Sequence, residues 1–240
     1  MKFIKVFADD ANYKEYRDGG TYEMPNVSLS RRTKNVYYNV DANGKKYEDL
    51  GLPSGTLWAT CNVGASEASE AGLYFQWGDT SGYTADQVGI NDKKYFSWSD
   101  YKWSIDGSSS NFRKYTTKGD MLELEDDAAH VNMGGDWHMP TPAQFKEFKD
   151  NTTTAWTASN GVSGVTFTSK KDKSKFIFIP AAGYAANGFV NENGNWGGIW
   201  APMLGSNQTG SGLILGSAGA GTTSDLCIRS NGCPVRGVIG

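Results

Sequence analysis

The sequence predicts an α+β fold of many short strands and two short helices, preceded by a small N-terminal β/α unit. Glycine supplies 30 of the 240 residues, well above the usual share of about 7%, and this excess favours tight turns over long helices. Aromatic residues make up 13% of the chain, so large rings must fill much of the core. The apolar segments are short and are bounded by Gly, Asn and Asp, as strands between tight turns are.

Residues 1–44 are predicted to form the N-terminal unit, with a docking or assembly role. The segment 41–45 is typical of a turn and sets the boundary, so a second domain is expected over residues 45–240. Patterning within the unit predicts a strand at 2–6, a short helix at 10–16 that stops at Gly19-Gly20, and strands at 26–30 and 35–39.

Two helices are predicted in the second domain. The first covers about 125–132, where three leading acids suit the positive end of a helix. The second begins after Thr141, because Pro142 fits the first helical position and Gln144 completes a capping box. Later strands are predicted at 176–179, 213–215 and 234–238.

Charge and hydropathy exclude several classes of function. The net charge is −3 with no basic block, which argues against a nucleic-acid partner. No run approaches the 18 or so apolar residues of a membrane span, so no membrane insertion is expected. The first residues lack the apolar stretch of a signal peptide. For a complete chain, this predicts that it does not leave a cell by the general secretory route.

The residue types that carry catalysis are sparse. The only histidines, His130 and His138, form no metal-binding spacing, and no nucleophile elbow or phosphate loop is present. The acidic run 123–127 could offer oxygens to calcium, but a solvated helix start is the favoured interpretation, as it is for Asp79. Cys61 is interpreted as a small core residue. We therefore predict neither an enzyme nor a bound cofactor or metal.

The three cysteines, Cys61, Cys227 and Cys233, are too few for a disulfide scaffold. A local bridge between Cys227 and Cys233 stays open at this point. The end of the chain differs in composition from the rest, since residues 181–240 hold 14 of the 30 glycines and residues 193–240 contain no Lys and no Glu. A buried Gly/Ser-rich sheet and a tail under different selection both fit this observation.

Five ordered segments resemble one protein family. The stretch DLGLPSGTLWATCNVGA at 49–65 resembles the opening of the Fibrobacter succinogenes major paralogous domain family, which is common in gut bacteria and their phages. The further matches are at 72–79, in a central block formed by 122–130 and 134–141, and at 178–184, and Val235-Arg236 resembles the closing element with Gly237 in place of a proline. Together they span residues 49–238.

The resemblance implies a C-type-lectin-like fold, in the branch shared with formylglycine-generating enzymes. It does not imply their activity, because the flanks of Cys227 and Cys233 do not match the paired copper-binding cysteines of those enzymes. Such a fold would present irregular C-terminal segments on a rigid frame, with a core supplied by large rings such as Trp58, Trp77, Trp137 and Trp200.

The tail departs from ordinary family members between its frame residues. The frame residues that match are Trp200, Leu213, Leu215, Arg229, Gly232, Val235 and Arg236. The rest of the region at about 197–235 resembles variable proteins of diversity-generating retroelements. There, randomised AAC codons never give Lys, Glu, Gln, Met or Trp, and this rule fits the missing Lys and Glu.

The predicted ligand-binding surface follows from this region. Leu213 and Leu215 should point inward and Ile214 outward, because side chains alternate along a strand. The residues predicted to be exposed and to bind ligand are Ile199, Ala201, Pro202, Ser211, Ile214, Gly216, Gly219, Gly221, Cys227, Ile228, Ser230, Asn231 and Cys233. They are small or apolar, so a shallow and weakly charged patch is expected.

The resulting hypothesis is a receptor-binding protein of a phage tail that recognises a host cell-surface protein or glycan. The N-terminal unit, which resembles the start of tail-associated proteins from gut Bacteroides-type hosts, would attach it to the tail or another surface structure. Homotrimeric assembly would suit such a role, and the protein would lie in the virion or outside the cell after lysis. The alternatives are a non-viral adhesin or carbohydrate-binding module, a formylglycine-generating type of enzyme and a structural virion protein.

Overall fold

The computed structural model describes residues 39–89 and 94–240. A compact unit runs from residue 38 to residue 240. The strand at 2–6, the helix at 10–16, the strand at 26–30 and all of the strand at 35–39 except its last residue lie outside the described residues. Asn39 and Val40 pair with Tyr47 and Lys46, and the predicted turn at 41–45 joins these two strands.

The described part of the chain forms many short strands and few helices. Its helices are α1 (Ala128–Met133) and α2 (Pro142–Asp150), and 3-10 turns cover Ala85–Gln87, Trp98–Asp100 and Leu124–Asp126. The strands are β1 (Asn39–Val40), β2 (Lys46–Glu48), β3 (Leu57–Ala59), β4 (Tyr74–Gln76), β5 (Thr152–Ser159), β6 (Val162–Ser169), β7 (Phe176–Pro180), β8 (Tyr184–Ala186), β9 (Phe189–Asn191), β10 (Trp196–Leu204), β11 (Thr209–Gly216), β12 (Gly219–Ile228), β13 (Gly232–Pro234) and β14 (Val238–Ile239).

These strands form four small antiparallel sheets, which makes the fold α+β as predicted. Their orders are β1-β2-β3-β14, β4-β13-β8-β9, β5-β6-β7 and β10-β11-β12. The last of these is called the C-terminal sheet below, and β10 and β12 are its two edge strands. Among the described residues, no helix has the length and apolar character needed to cross a bilayer.

Both predicted helices are confirmed, and local capping explains where they begin. The Asp127 carboxylate accepts hydrogen bonds from the backbone N–H groups of Ala129 and His130 at the start of α1. At the start of α2, Thr141 and Gln144 form the expected capping box, with Pro142 in the first turn. Capping of this kind depends on residues within one turn, which is why the sequence alone indicates it.

Of the three later strands, two are confirmed. Phe176–Pro180 forms β7, and residues 213–215 lie within β11. The continuous strand predicted at 234–238 is wrong. Pro234 pairs with Tyr74 in one sheet and Val238 pairs with Trp58 in another. The chain changes sheets between them, so the strand pattern is interrupted at residues 235–237.

The C-terminal sheet lies between two hydrophobic clusters. One contains Trp77, Trp137 and Trp200. The other contains Trp58 and packs the α2 rings Phe145 and Phe148 against residues of β10 and β11. All four predicted core tryptophans are buried within these two clusters.

Two buried arginines link distant segments across this core. Arg236 is fully buried, and its guanidinium donates to Asn62 Oδ1 at 2.9 Å, to the Ala59 carbonyl at 3.0 Å and to the Phe178 carbonyl at 3.2 Å. Desolvation lowers the pKa of Arg236 to about 10, so the group stays charged at neutral pH. It joins β3, the segment after it, and β7.

Arg229 is also fully buried. Its guanidinium donates to Tyr101 Oη at 2.8 Å and to the carbonyl oxygens of Tyr115, Asn207 and Lys114 at 2.9, 3.2 and 3.2 Å. The Phe112 ring centroid lies 4.2 Å from its central carbon, close enough for a cation–π contact. These contacts fix the end of β12 to the segment that runs from Tyr101 to Tyr115.

Replacing Arg236 by Lys should lower the free energy of unfolding by about 3 kcal/mol, because an ammonium cannot reach three acceptors that a planar guanidinium bonds together. Urea unfolding followed by tryptophan fluorescence measures this. The matched control is Arg113→Lys, since Arg113 is exposed and donates to the Ser104 carbonyl. If both variants unfold at the same urea concentration as wild type, Arg236 does not have the proposed structural role.

Candidate ligand-binding face of the C-terminal sheet

One face of the C-terminal sheet carries almost no side chains at the end near its hairpin. The register aligns Trp196 with Gly216 and Gly219 across the three strands, and Gly198 with Ile214 and Gly221. Directly paired residues, and residues two apart, share a face. We call this surface the glycine face, and define it by Trp196, Gly198, Ile214, Gly216, Gly219 and Gly221.

Trp196 forms one wall of the glycine face. Its half-buried indole lies across Gly198, where an added Cβ would stand 2.7 Å from Cη2 of the ring. The Tyr184 ring meets the indole edge-on, with centroids 5.7 Å apart and planes at 85°. Glycine at 198 is therefore required by the close approach of the indole, and Tyr184 holds that indole in place.

The surface beside Trp196 is open. A Cβ at Gly216 would meet no atom within 4 Å, and one at Gly221 would meet only Cγ2 of Ile214, at 3.3 Å. Ile214 is half-buried, whereas its neighbours Leu213 and Leu215 are buried. The predicted alternation along β11 is therefore confirmed, and it places an apolar side chain in the middle of a surface otherwise formed by backbone.

The structure brings some predicted site residues together. Ile214, Gly216, Gly219 and Gly221 all lie on the glycine face and are partly accessible. A second group, at the end of β12 and in the turn that follows, contains half-buried Cys227, exposed Ile228 and half-buried Asn231. These seven residues remain candidates for contact with a ligand.

The other six predicted residues are buried, so the expectation that they are exposed was wrong. They are Ile199, Ala201, Pro202, Ser211, Ser230 and Cys233. Ile199 and Ala201 are buried because their face of β10 is covered by the Trp58 cluster, to which both belong. Residues 119–122 add to the free side of β10, where the Pro202 carbonyl accepts from the backbone N–H of Leu122 at 2.8 Å.

The remaining three are also held by interior contacts. Ser211 Oγ donates to the Met203 carbonyl at 2.7 Å. The Ser230 carbonyl accepts from Nε2 of Gln76 at 2.6 Å. Cys233, in β13, pairs with Phe75 of β4 and lies in the Trp77 cluster. Alternation alone cannot find such burial, because it indicates which residues share a face but not whether that face is covered.

The sequence analysis did not predict two features of this sheet. Trp196 was not predicted to contribute to the ligand-binding surface, although it precedes Trp200 by an even number of residues and therefore shares its face. A depression of about 140 Å³ lies between α2 and the opposite side of the sheet. Met203 and Pro142 line it together with Thr222 and Ser224, so its wall combines apolar surface with hydroxyl groups.

The acidic run is organised around a lysine. Nζ of Lys114 lies 2.7 Å from a carboxylate oxygen of Glu123, 2.7 Å from one of Asp126 and 3.5 Å from one of Glu125. Asp126 also accepts from Lys102 at 2.8 Å. An ammonium group thus occupies the position where these three carboxylates converge. Asp126 and Asp127 are buried, so the solvated interpretation was wrong for these two residues and fits only the exposed Glu123 and Glu125.

Other residues considered from the sequence have structural partners. His130 and His138 each contact backbone carbonyls, of Trp137 at 3.1 Å and of Met139 at 2.9 Å. Asp79 is buried and paired with Lys94 at 3.3 Å, so the solvated interpretation was wrong for it. Cys61 is half-buried at the wall of a groove of about 350 Å³, and is not a core residue.

Asp126→Asn should destabilise the protein at neutral pH and reduce its sensitivity to acid. Burial alone would raise the pKa of Asp126, but hydrogen bonds from Lys102, Lys114 and Tyr115 outweigh it and hold that pKa below its usual value. A lowered pKa contributes stability above about pH 4, and this contribution is lost as the pH falls through the folded-state pKa. We expect a loss of about 2 kcal/mol at pH 7 that shrinks below about pH 4.

Urea unfolding at a series of pH values measures this difference. Glu125→Gln is the matched control, since Glu125 is exposed and contacts the same lysine at 3.5 Å. It should unfold as wild type does. A difference between Asp126→Asn and wild type that stays constant from pH 7 to pH 3 would contradict the assignment.

Comparison of the chain with protein-family models, with curated proteins and with solved structures found no match.

Proposed function

We propose that this chain is a ligand-binding protein of C-type-lectin-like fold that uses the glycine face to recognise a host cell-surface protein or glycan. The observation that supports this most directly is the contrast between the glycine face and its surroundings. Partly accessible, nearly bare backbone lies on a sheet whose flanking layers are densely packed with buried rings. Such a rigid frame with a permissive surface suits recognition.

The chemistry of the face sets the kind of binding. Its six residues carry no charge, so attraction would come from shape and from apolar contact with Trp196 and Ile214. An indole beside a surface of nearly bare glycine backbone can accept either an apolar side chain or the apolar face of a sugar ring. Contacts of this size give weak binding per site, which several copies on one particle would strengthen through avidity.

Diversification by a retroelement is part of this proposal, and the burial pattern narrows it. Side chains at Gly216 and Gly221 would extend outward with little or no clash. Substitutions at Ile199 or Ala201 would instead disturb the Trp58 cluster, at a cost of about 1–3 kcal/mol for overpacking. Productive diversity would therefore concentrate on the glycine face and on the turn after β12.

The biological setting that we propose is a phage tail. Residues 1–44 would attach the chain to the tail or another surface structure, homotrimeric assembly would multiply the binding faces, and the protein would lie in the virion or outside the cell after lysis. The matched segments between residues 49 and 238 support this setting by resemblance to a family found in gut bacteria and their phages.

Gly216→Arg tests the glycine face as the binding surface. The substitution should fold, because Gly216 has room for a side chain and no positive φ, and the arginine should block the surface beside Trp196. We expect binding to weaken at least about tenfold, which corresponds to about 1.4 kcal/mol. Flow cytometry of the labelled full chain on a panel of gut Bacteroides-type strains measures it.

The matched control is Ala143→Arg, which adds the same charged group to an exposed position of α2, on the opposite side of the sheet. It should bind as wild type does. Pretreatment of the cells with protease or with periodate separates a protein receptor from a glycan receptor. Absence of wild-type binding to every strain would count against the receptor-binding role, and equal binding by both variants would count against the glycine face.

Chelation should leave binding unchanged. Lys114 occupies the convergence of the acidic run, and the paired Glu-Pro-Asn or Gln-Pro-Asp element of calcium-dependent lectins is absent from the sequence. The same cytometry in EDTA, with and without added calcium, checks this. A loss of binding in EDTA that calcium restores would show that recognition is metal-dependent after all.

A further inference from the structure

Cys227 and Cys233 lie close together although five residues separate them. Cys227 stands near the end of β12, and Cys233 is the middle residue of β13. The chain reverses between them, where the backbone N–H of Asn231 donates to the Ile228 carbonyl at 2.8 Å. Both sulfurs pack against the same cluster around Trp77.

The two thiols differ in access. Cys233 is fully buried, whereas Cys227 is half-buried. The sulfur of Cys227 accepts a hydrogen bond from Nδ2 of Asn231 at 3.4 Å, and the thiol of Cys233 is hydrogen-bonded to it as well. The more accessible sulfur thus receives two donors, and one of them is the second thiol.

This asymmetry divides the chemical roles. The hydrogen bond from Cys233 lowers the pKa of Cys227, with a further contribution from Asn231. Burial raises the pKa of Cys233 well above its usual range. Because the thiolate is the nucleophile in exchange reactions, the accessible Cys227 should react first.

We propose that Cys227 and Cys233 form a redox-active dithiol that closes to an intramolecular disulfide in an oxidising environment, with Cys227 as the attacking thiol and Cys233 as the resolving thiol. This inference is independent of the proposed function.

The reaction needs a small disulfide such as oxidised glutathione as the oxidant. The Cys227 thiolate attacks one sulfur of glutathione disulfide, which forms a mixed disulfide and releases one glutathione thiolate. That thiolate takes up the proton of the Cys233 thiol. The Cys233 sulfur then attacks the Cys227 sulfur of the mixed disulfide, which forms the internal bond and releases the second glutathione as a thiolate. The two cysteines lose two electrons, and glutathione disulfide gains them.

Cys61 is the internal control for this chemistry. It is also half-buried, but its sulfur contacts Thr60 Oγ1 at 3.6 Å and the Ser66 carbonyl at 3.5 Å. The chain has three cysteines, and the other two are paired with each other, so no resolving thiol remains for Cys61. Any adduct formed at Cys61 should persist.

The test is timed oxidation of the reduced, folded full chain with glutathione disulfide, followed by an acid quench, alkylation with N-ethylmaleimide and mass spectrometry of the intact chain and its peptides. We expect Cys227 and Cys233 to lose alkylation together, with a peptide linking them and no lasting glutathione adduct on either. Three alkylated cysteines after prolonged oxidation would overturn the proposal, as would a lasting adduct on wild-type Cys227.

Two variants assign the roles. Cys233→Ala should accumulate one glutathionyl group on Cys227, because nothing remains to displace it, and Cys227→Ala should leave Cys233 unmodified while the chain stays folded. Cys61→Ala should close the disulfide at the wild-type rate. Modification of Cys233 at the wild-type rate in folded Cys227→Ala would contradict the order of attack. Far-ultraviolet circular dichroism verifies that each variant is folded. If a variant does not fold, the oxidation of the wild-type chain alone decides whether the dithiol is redox-active.

Discussion

The fold depends on satisfying two positive charges that are removed from water. A buried guanidinium has five N–H donors, and leaving any of them without an acceptor costs free energy. Among the described residues, Arg229 and Arg236 bond mainly to carbonyl oxygens, and neither has a carboxylate partner. Carbonyls belong to the backbone, so these hydrogen bonds fix the positions of chain segments rather than of single side chains. The C-terminal sheet is held at the point where those segments converge.

How well the sequence predicts an element depends on how local its cause is. The helix starting at Pro142 follows from residues within one turn, and the alternation at Leu213, Ile214 and Leu215 follows from strand geometry. The break in the strand at 235–237 has no such local cause. It arises because the residues on either side pair with Tyr74 and Trp58, which are far away in the chain. The same limit applies to the burial of Ile199 and Ala201, which requires knowledge of what covers each face of β10.

The candidate surface was predictable in part for the same reason. Compositional bias pointed to the C-terminal region of the chain, and the pairing register then selected a subset of its residues as the glycine face. Trp196 could have been found by counting alternate positions back from Trp200. The sequence left the approach of Cys227 and Cys233 open, since it depends on the tight reversal between β12 and β13. Register and reversal are tertiary properties that a pattern of residue types leaves undetermined.

The free edge of the C-terminal sheet has a consequence for how crowded copies of this protein behave. An exposed edge strand offers unpaired backbone groups to other chains and invites runaway polymerisation. Along β12, Thr222, Ser224 and Asp225 are exposed. Hydrogen bonds from Thr209 and Ser224 lower the pKa of Asp225, so its negative charge persists into mildly acidic conditions. Two such edges brought together would repel, which lets many copies stand side by side without joining into fibrils.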